Sequence, residues 1–469
     1  MNGDFFSDKK NFVPTVIFLA AILLSLSYSF YFRIQPSVDA RAYDSIAWNL
    51  ASGNGYRESS DVPILEDNSI LRVGPGFEAF LAAIFFVFGH NYAAVWVAHA
   101  ILHAATAALV YLSAVMIFQS SDNKEKIGLL SASIIAFSPD LITMSGMLMS
   151  ETLGVFLVAL AIFLFFRSVD GEDISIPGIF LAGISFGAAA LVRTPSMLLF
   201  LPAAGYLISR DRMRHLAVFF AASALIFSPW IIRNFIIYRT FIPTNLAYGI
   251  DLAAGNHPGA SGELEPHARN DEAIAQYGKI SGTRLLAKEA VIFIFRNPAE
   301  FMRITLNRIS IYFSFARPTA FWFHLNGASQ AATMALSSLY SAVIFLFGFL
   351  GIWLCRNKPS GYGDRASWLF YMALMMPLAV IFIIVETRYR FLVYPMMAVF
   401  AGLGAQAAFS RNRRHCNSCS QERQARNGKE ERTRPHNPPE ERVQAREGKG
   451  EVRGQRLHAH RRPGNAKGN

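Results

Sequence analysis

The chain has 469 residues, of which 52% are hydrophobic and 16% charged, with a formal net charge of +11. Water-soluble domains sit nearer a quarter charged, so forty Phe scattered through Leu, Ile and Ala runs exclude an ordinary globular protein and point to lipid as the solvent. Three Cys exclude a disulfide framework.

The first segment, "NFVPTVIFLAAILLSLSYSFYF" (Asn11 to Phe32), follows "DKK". It is too long for a signal-peptide core and lacks a small-residue cleavage site before the polar loop, so it reads as a first transmembrane helix. The chain then turns polar in "QPSVDARAYDSIAWNLASGNGYR" (Gln35 to Arg57). Read as a helix, "DARAYDSIAWNL" places Asp39 and Tyr43 one turn apart on one face. Ile46, Ala47 and Leu50 form an apolar stripe able to lie on the membrane, and the glycines of "SGNGY" end the helix. These residues serve two readings equally: a carboxylate presented above the bilayer edge, or an Asp39 that only caps its helix. The next apolar stretch, "GFEAFLAAIFFVFG" (Gly76 to Gly89), is short for a span and carries Glu78, so it reads as an interfacial or re-entrant helix.

A helix needs about 20 apolar residues to cross the hydrocarbon core. Further spans are expected at 92–118, 127–144, 151–167, 176–192, 195–209, 215–235, 333–355, 367–385 and 391–409, ten in all. Cytoplasmic short loops collect Lys and Arg. With the N-terminus inside, alternate connections are "SSDNKEK", "RSVDGED", "SRDRMRH", "CRNKPSGYGDR" and "RNRRH", and most are basic, with "RSVDGED" the exception. Both termini are therefore expected on the cytoplasmic side of a plasma (inner) membrane. His99 and His103, spaced i,i+4 on the second span, have metal-ligand spacing but no third ligand nearby, and read as packing residues.

Ionisable residues at membrane depth are costly and mark function by default. Those on the side opposite the cytosol are Asp39, Glu151 in "SGMLMSETLGVF", Arg193 in "LVRTPSM", Arg233 in "SPWIIRNFIIYRTFIP", and Glu386, Arg388, Tyr389 and Arg390 in "VETRYRFLVYP". The bland readings are a first-turn Glu151 favouring the helix dipole and arginines snorkelling at helix ends. The excess of Arg over Lys on this side argues for a fixed anionic ligand, because the planar guanidinium fork suits phosphate oxygens. The long outer segment, 236–332, is Gly/Pro/Asn-rich in its first half. Its second half is amphipathic, with Arg296, Arg303 and Arg308 among apolar residues, as suits an element at the interface.

From Arg411 onward the composition turns polar and basic, the mark of a disordered cytosolic tail attracted to anionic membrane lipids. Its lone Cys416–Cys419 pair beside His415 is a weak zinc signal. No Walker A loop or dinucleotide fingerprint occurs, and nothing calls for nucleic acid as a partner.

In order and spacing, "DARAYDSIAWNLASGNGYR", "RVGPGFEAFLAAIF", "SPDLITMSGMLMSETLGVF", "ALVRTPSMLLFLP", "SPWIIRNFIIYRTFIPTNLAYGIDLAAGNHPGASG" and "ETRYRFLVYP" resemble the GT-C membrane glycosyltransferases of the protein O-mannosyltransferase and aminoarabinose-transferase type. The resemblance covers about residues 11–410. It implies an all-α polytopic membrane protein, a GT-C-like bundle of about ten spans with extracytoplasmic juxtamembrane helices. The transferase domain would be 1–410, with 33–91 as first outer loop, and 411–469 a separate tail. It implies a hexosyl or pentosyl transferase that moves a sugar from a polyprenyl-phosphate donor to an envelope acceptor (protein, lipid or glycan) at the extracytoplasmic face, with inversion. Asp39 would be the catalytic base and Glu151 the second acidic residue. Tyr43, Arg193, Arg233, Arg388, Tyr389 and Arg390 would bind substrate. No metal is required where arginines supply the compensating charge, although a divalent cation between Asp39 and Glu151 is compatible. The sequence departs from the family where Asp39 is followed by Ala40 rather than Glu, and where "RVGPGFEAF" replaces Arg-Pro-Pro-x-Tyr-Pro. A multi-span transporter or flippase of lipid-linked saccharides is the rival class. Against it stand the absence of a convincing repeat and the clustering of polar residues at one face.

Overall fold

The computed structural model describes residues 9–410 except 73, 171–173, 266, 317–323 and 358. The expected tail, 411–469, with its Cys416–Cys419 pair, lies outside the described residues. Among the described residues the chain is helical, with no strand and one isolated bridge between Glu263 and Val385. The order is α1 (Lys9–Phe32), α2 (Asp39–Ala51), α3 (Pro75–Phe88), α4 (Tyr92–Ile117), α5 (Lys124–Ala136), α6 (Pro139–Ser145), α7 (Glu151–Ser168) and α8 (Ile176–Val192). Then follow α9 (Thr194–Ser209, entered through a 3₁₀ turn), α10 (Met213–Tyr238), α11 (Ala247–Gly255), α12 (Ala268–Arg296), α13 (Pro298–Tyr312), α14 (Gly327–Asn357), α15 (Pro359–Ile381) and α16 (Thr387–Ser410, also begun as 3₁₀).

By length and composition six of these can cross a membrane, α1, α4, α7, α10, α14 and α16. The pair α5 and α6, bent by 52°, makes a seventh if it is one span. Of the remaining expected spans, α8 and α9 are apolar but shorter, and α15 is interrupted at Gly363. The protein is thus an all-helical, polytopic membrane bundle. Its tightest packing runs through α4, α7, α8 and α10, with α1 and α5 against α4. His103 stitches this core: its Nδ1 meets Ser25 Oγ of α1 at 2.7 Å and its Nε2 meets Ile135 O of α5 at 3.0 Å. His99 lies 3.3 Å from Ser145 O, so both histidines serve packing.

Two sequence expectations change here. The stripe of α2 does not lie on lipid: Ile46 and Ala47 are fully buried, because α2 packs along α3. The helix does end as expected, with Gly53 and Gly55 at φ 81° and 84°. In the outer segment, Arg308 does not sit at the interface. It is fully buried and donates to main-chain carbonyls, Ile381 O at 3.2 Å, Gly262 O at 3.4 Å and Gly255 O, and to Asn256 Oδ1 at 3.2 Å. A guanidinium with five donors can satisfy several carbonyls that no helix ladder reaches, so Arg308 clamps α13 to the end of α11 and the end of α15. The outward face near the α12–α13 junction remains apolar, with Phe295, Met302 and Leu306 exposed, as the amphipathic pattern predicts.

Candidate active site

Asp39 is the first residue of α2, and its side chain does not cap the helix. The preceding Val38 holds φ at 49°, a conformation a β-branched residue adopts only under strain. Such outliers gather where the surroundings over-determine geometry, often at functional sites. What holds Asp39 is Arg388, near the start of α16, whose Nη2 donates to Asp39 Oδ2 at 2.9 Å. The same guanidinium donates through Nε to Glu386, and its Nε lies 3.7 Å from Glu151 Oε1. Arg193 ends α8, because Pro195 prevents the helix from continuing. Its Nη1 donates to Ser150 Oγ at 3.1 Å and lies 3.4 Å from Glu151 Oε1. Both arginines stack over the Tyr389 ring, at 5.4 Å for Arg193 and 5.8 Å for Arg388.

Burial grades the members of this cluster. The side chains of Glu151 and Arg388 are 2% and 6% exposed, whereas that of Asp39 keeps 32%. Asp39 is therefore the carboxylate that water or a substrate can reach. Among the described residues neither Glu151 oxygen has a hydrogen-bond partner, so its two long ion pairs are what neutralise it. Removing such charges from water costs several kcal/mol each unless they are paired. A concentration of this kind at one end of a membrane bundle is a functional-site signature. Burial also pushes the Glu386 carboxyl up, against the pull of Arg388.

Beside the cluster opens a cavity of about 490 Å³. Arg193 and Tyr389 stand in its wall together with Asp251 of α11, while residues such as Leu198, Val380 and Ile384 make the rest largely apolar. Asp39 does not line this cavity. It borders a crevice of about 20 Å³ with Gln35, Ser37 and Met147 to Met149, room for about one water. Arg388 contacts Asp39 and stacks on Tyr389, and so joins the two spaces.

The structure brings together Asp39, Glu151, Arg193, Arg388 and Tyr389. It leaves three predicted residues aside. Arg390 turns toward α14, donating to Ser341 Oγ at 2.9 Å and to Ser314 O, because its place in the 3₁₀ turn points it away from Arg388. Arg233 is held by aromatic rings, 4.9 Å over Trp230 and 5.4 Å over Tyr56, and donates to Tyr56 O at 3.0 Å. It thereby ties α10 to the loop that follows α2. Tyr43 is buried edge-on to Phe77 at 5.4 Å, and burial, aided by the Asp39 charge, raises its hydroxyl pKa. It supports the site from beneath rather than lining it.

Asp251 was missed by sequence reasoning; the available signal was a carboxylate inside a short apolar helix, "AYGIDLAAG". Burial, reinforced by the Asp39 charge, pushes it up to about 7 against the pull of Arg193 and Arg388. As for a divalent cation between Asp39 and Glu151, the residues do not fit one. Arg388 stands between these carboxylates and takes the neutralising position, and no group of three or more His, Cys, Asp or Glu converges among the described residues.

The family described as dolichyl-phosphate-mannose-protein mannosyltransferase matches residues 72–233, under half of the chain but including Glu151 and Arg193. No curated protein sequence matches. Among solved structures, the Archaeoglobus fulgidus oligosaccharyltransferase in complex with Zn and sulfate superposes with a TM-score of 0.51 at 16% identity, covering 84% of this chain and 49% of that one. The archaeal oligosaccharyltransferase AglB from the same organism, in complex with an inhibitory peptide and a dolichol-phosphate, gives 0.48 at 16% identity, with 84% and 50% covered. ArnT from Cupriavidus metallidurans bound to undecaprenyl phosphate gives 0.38 at 15% identity, with 82% and 77% covered. The chain spans about half the length of the oligosaccharyltransferases it matches. The resemblance to GT-C membrane glycosyltransferases read from the sequence is borne out, and at these identities the structural likeness is one of fold.

Proposed function

We propose that this membrane protein is a glycosyltransferase that moves a sugar from a polyprenyl-phosphate donor to an envelope acceptor at the extracytoplasmic face, inverting the anomeric centre. The observation that carries this reading is the junction of a buried Arg193–Glu151–Arg388 cluster, a reachable Asp39 and an apolar cavity walled by Arg193 and Tyr389. An isoprenoid chain suits the apolar part of the cavity, and its phosphate suits the guanidinium end.

The acceptor's hydroxyl or amine attacks the anomeric carbon while its proton passes to Asp39, on Oδ1, the oxygen not bound by Arg388. The bond between that carbon and the phosphate oxygen breaks, and the electron pair leaves with the polyprenyl phosphate. Arg193 and Arg388, preorganised by burial, stabilise the charge that develops on the leaving phosphate. Glu151 fixes both guanidinium groups in position. The outward sidedness rests on the alternate connections, most of them basic: Arg210 pairs with Asp364 at 2.5 Å and Arg365 with Asp170 at 2.6 Å, so three of these connections meet on one face.

The test is to incubate the purified protein in vesicles with radiolabelled polyprenyl-phosphate mannose and envelope extract. Label leaving the lipid and appearing on an envelope acceptor supports the reading. Intact lipid-linked sugar crossing to the other leaflet, with no transfer, would replace it with the transporter reading.

A further inference from the structure

Within the apolar wall of the 490 Å³ cavity, Asp251 is out of place. It is half-buried, and no hydrogen-bonded or ion-paired partner of its carboxylate falls among the described residues. Its carboxylate therefore depends on what enters the cavity for its hydrogen bonds, and a polar group left unsatisfied when a ligand displaces the water costs stability.

The helix that carries it is pinned at both ends. At its C-terminal end Gly255 lies so close to the tip of α15 that a Cβ there would stand 2.0 Å from Ile383 O and 2.7 Å from Arg308 Nη2. The next residue, Asn256, donates to Leu252 O at 2.9 Å and Ile383 O at 3.2 Å while accepting from Arg308 Nη1 at 3.2 Å. At its other end, a Cβ on Gly249 would stand 2.2 Å from Thr283 O of α12. Such contacts leave α11 little freedom to turn Asp251 away from the cavity that it lines together with Arg193 and Tyr389.

We propose that Asp251 is the sugar-reading residue of this site, binding hydroxyl groups of the donor's sugar while Arg193 binds the phosphate that carries it. This rests on the polyprenyl-phosphate reading above. A carboxyl beside an anionic phosphate avoids repulsion when it is protonated, and its upward shift to about 7 keeps a protonated fraction at neutral pH. In that form it both donates to and accepts from a neutral sugar. Specificity of this kind is strong because a site built around a hydroxyl rejects ligands that lack it.

The experiment compares two probes on the full-length protein in nanodiscs: undecaprenyl phosphate, and the same lipid carrying mannose. Asp251→Ala is expected to weaken binding of the mannosylated lipid by tenfold or more and to leave the sugar-free lipid within twofold. Asp251→Asn, which keeps shape and hydrogen-bonding capacity, is expected to lose about threefold on the mannosylated lipid alone. Equal weakening of both lipids, or no change with either, overturns the proposal while leaving the donor reading intact. Wild-type protein that binds neither lipid overturns both. Melting temperatures of the variants within a few degrees of wild type establish that α11 is in place.

Discussion

Replacing Asp39 by Asn removes one charge and one proton-accepting oxygen while preserving the side chain's volume. Asp39 Oδ2 accepts from Arg388 Nη2 at 2.9 Å, and an amide carbonyl can still accept there. Arg388 retains Glu386 and Glu151, so no buried charge is left alone. A pair with one partner 32% exposed contributes about 0.2–1 kcal/mol, which corresponds to a melting shift of no more than about 4 °C. The chemical loss should be far larger. Removing a general base costs about 10²–10⁴ in rate, or about 3–5.5 kcal/mol on the barrier. Transfer from radiolabelled polyprenyl-phosphate mannose in reconstituted vesicles, measured beside the melting temperature and donor affinity, separates the two. An Asp39→Asn protein that keeps more than a tenth of wild-type transfer would refute the base assignment. A loss of transfer accompanied by collapse of the melting temperature would refute the structural half of the reasoning.

Arg388→Met leaves Glu386 without its cation and the buried Glu151 with one cation fewer, and breaking a buried pair costs about 3–5 kcal/mol; a melting temperature lowered by about 10 °C is expected, and an unchanged one would mean that the cluster is not paired. Arg308→Met strips the donors from Gly255 O and Ile381 O, so α11 should become protease-sensitive and donor affinity should fall severalfold, whereas protection equal to wild type would deny the clamp. Asp67 organises the loop between α2 and α3 by accepting from the backbone N–H of Glu58 at 2.9 Å and of Ser59 at 3.0 Å. Burial pushes its carboxyl up, but these bonds and those from Ser69 outweigh it, and the folded value is lowered. Its contribution is therefore complete above the ordinary carboxylate range, near pH 4, and is lost as pH falls through the lowered folded value. Hydrogen-exchange protection factors at Ser59 and Ser69, taken against the intrinsic rate at each pH, should stay high at pH 5 and fall only in stronger acid. Val38→Gly relieves a strained positive φ, with about 1 kcal/mol of added stability; the melting temperature should rise slightly while transfer falls if the strain aims Asp39.

Much of this protein was legible in one dimension. Membrane residence, the helical class and the order of most spans follow from local hydropathy, since a span must satisfy its own backbone in lipid. Asp39, Glu151, Arg193 and Arg388 could be singled out because each breaks an apolar run at one end of a helix, where a charge is expensive. Direction was not legible. Arg388 and Arg390 are two residues apart in one turn, yet one meets Asp39 and the other meets Ser341 of α14. Spacing along the chain does not say which neighbour a 3₁₀ turn will face. Nor does local pattern distinguish lipid from protein as the partner of an apolar stripe, so α2 was expected on the membrane and lies against α3 instead. The same applies to Arg308, whose carbonyl partners come from segments up to 73 residues away. Asp251 is the clearest case, because its meaning comes from a cavity whose walls are contributed by α9, α11, α15 and the start of α16. Composition and periodicity determined the solvent and the helices, which are local free-energy choices. Which polar side chains share a space was decided only when distant segments packed together.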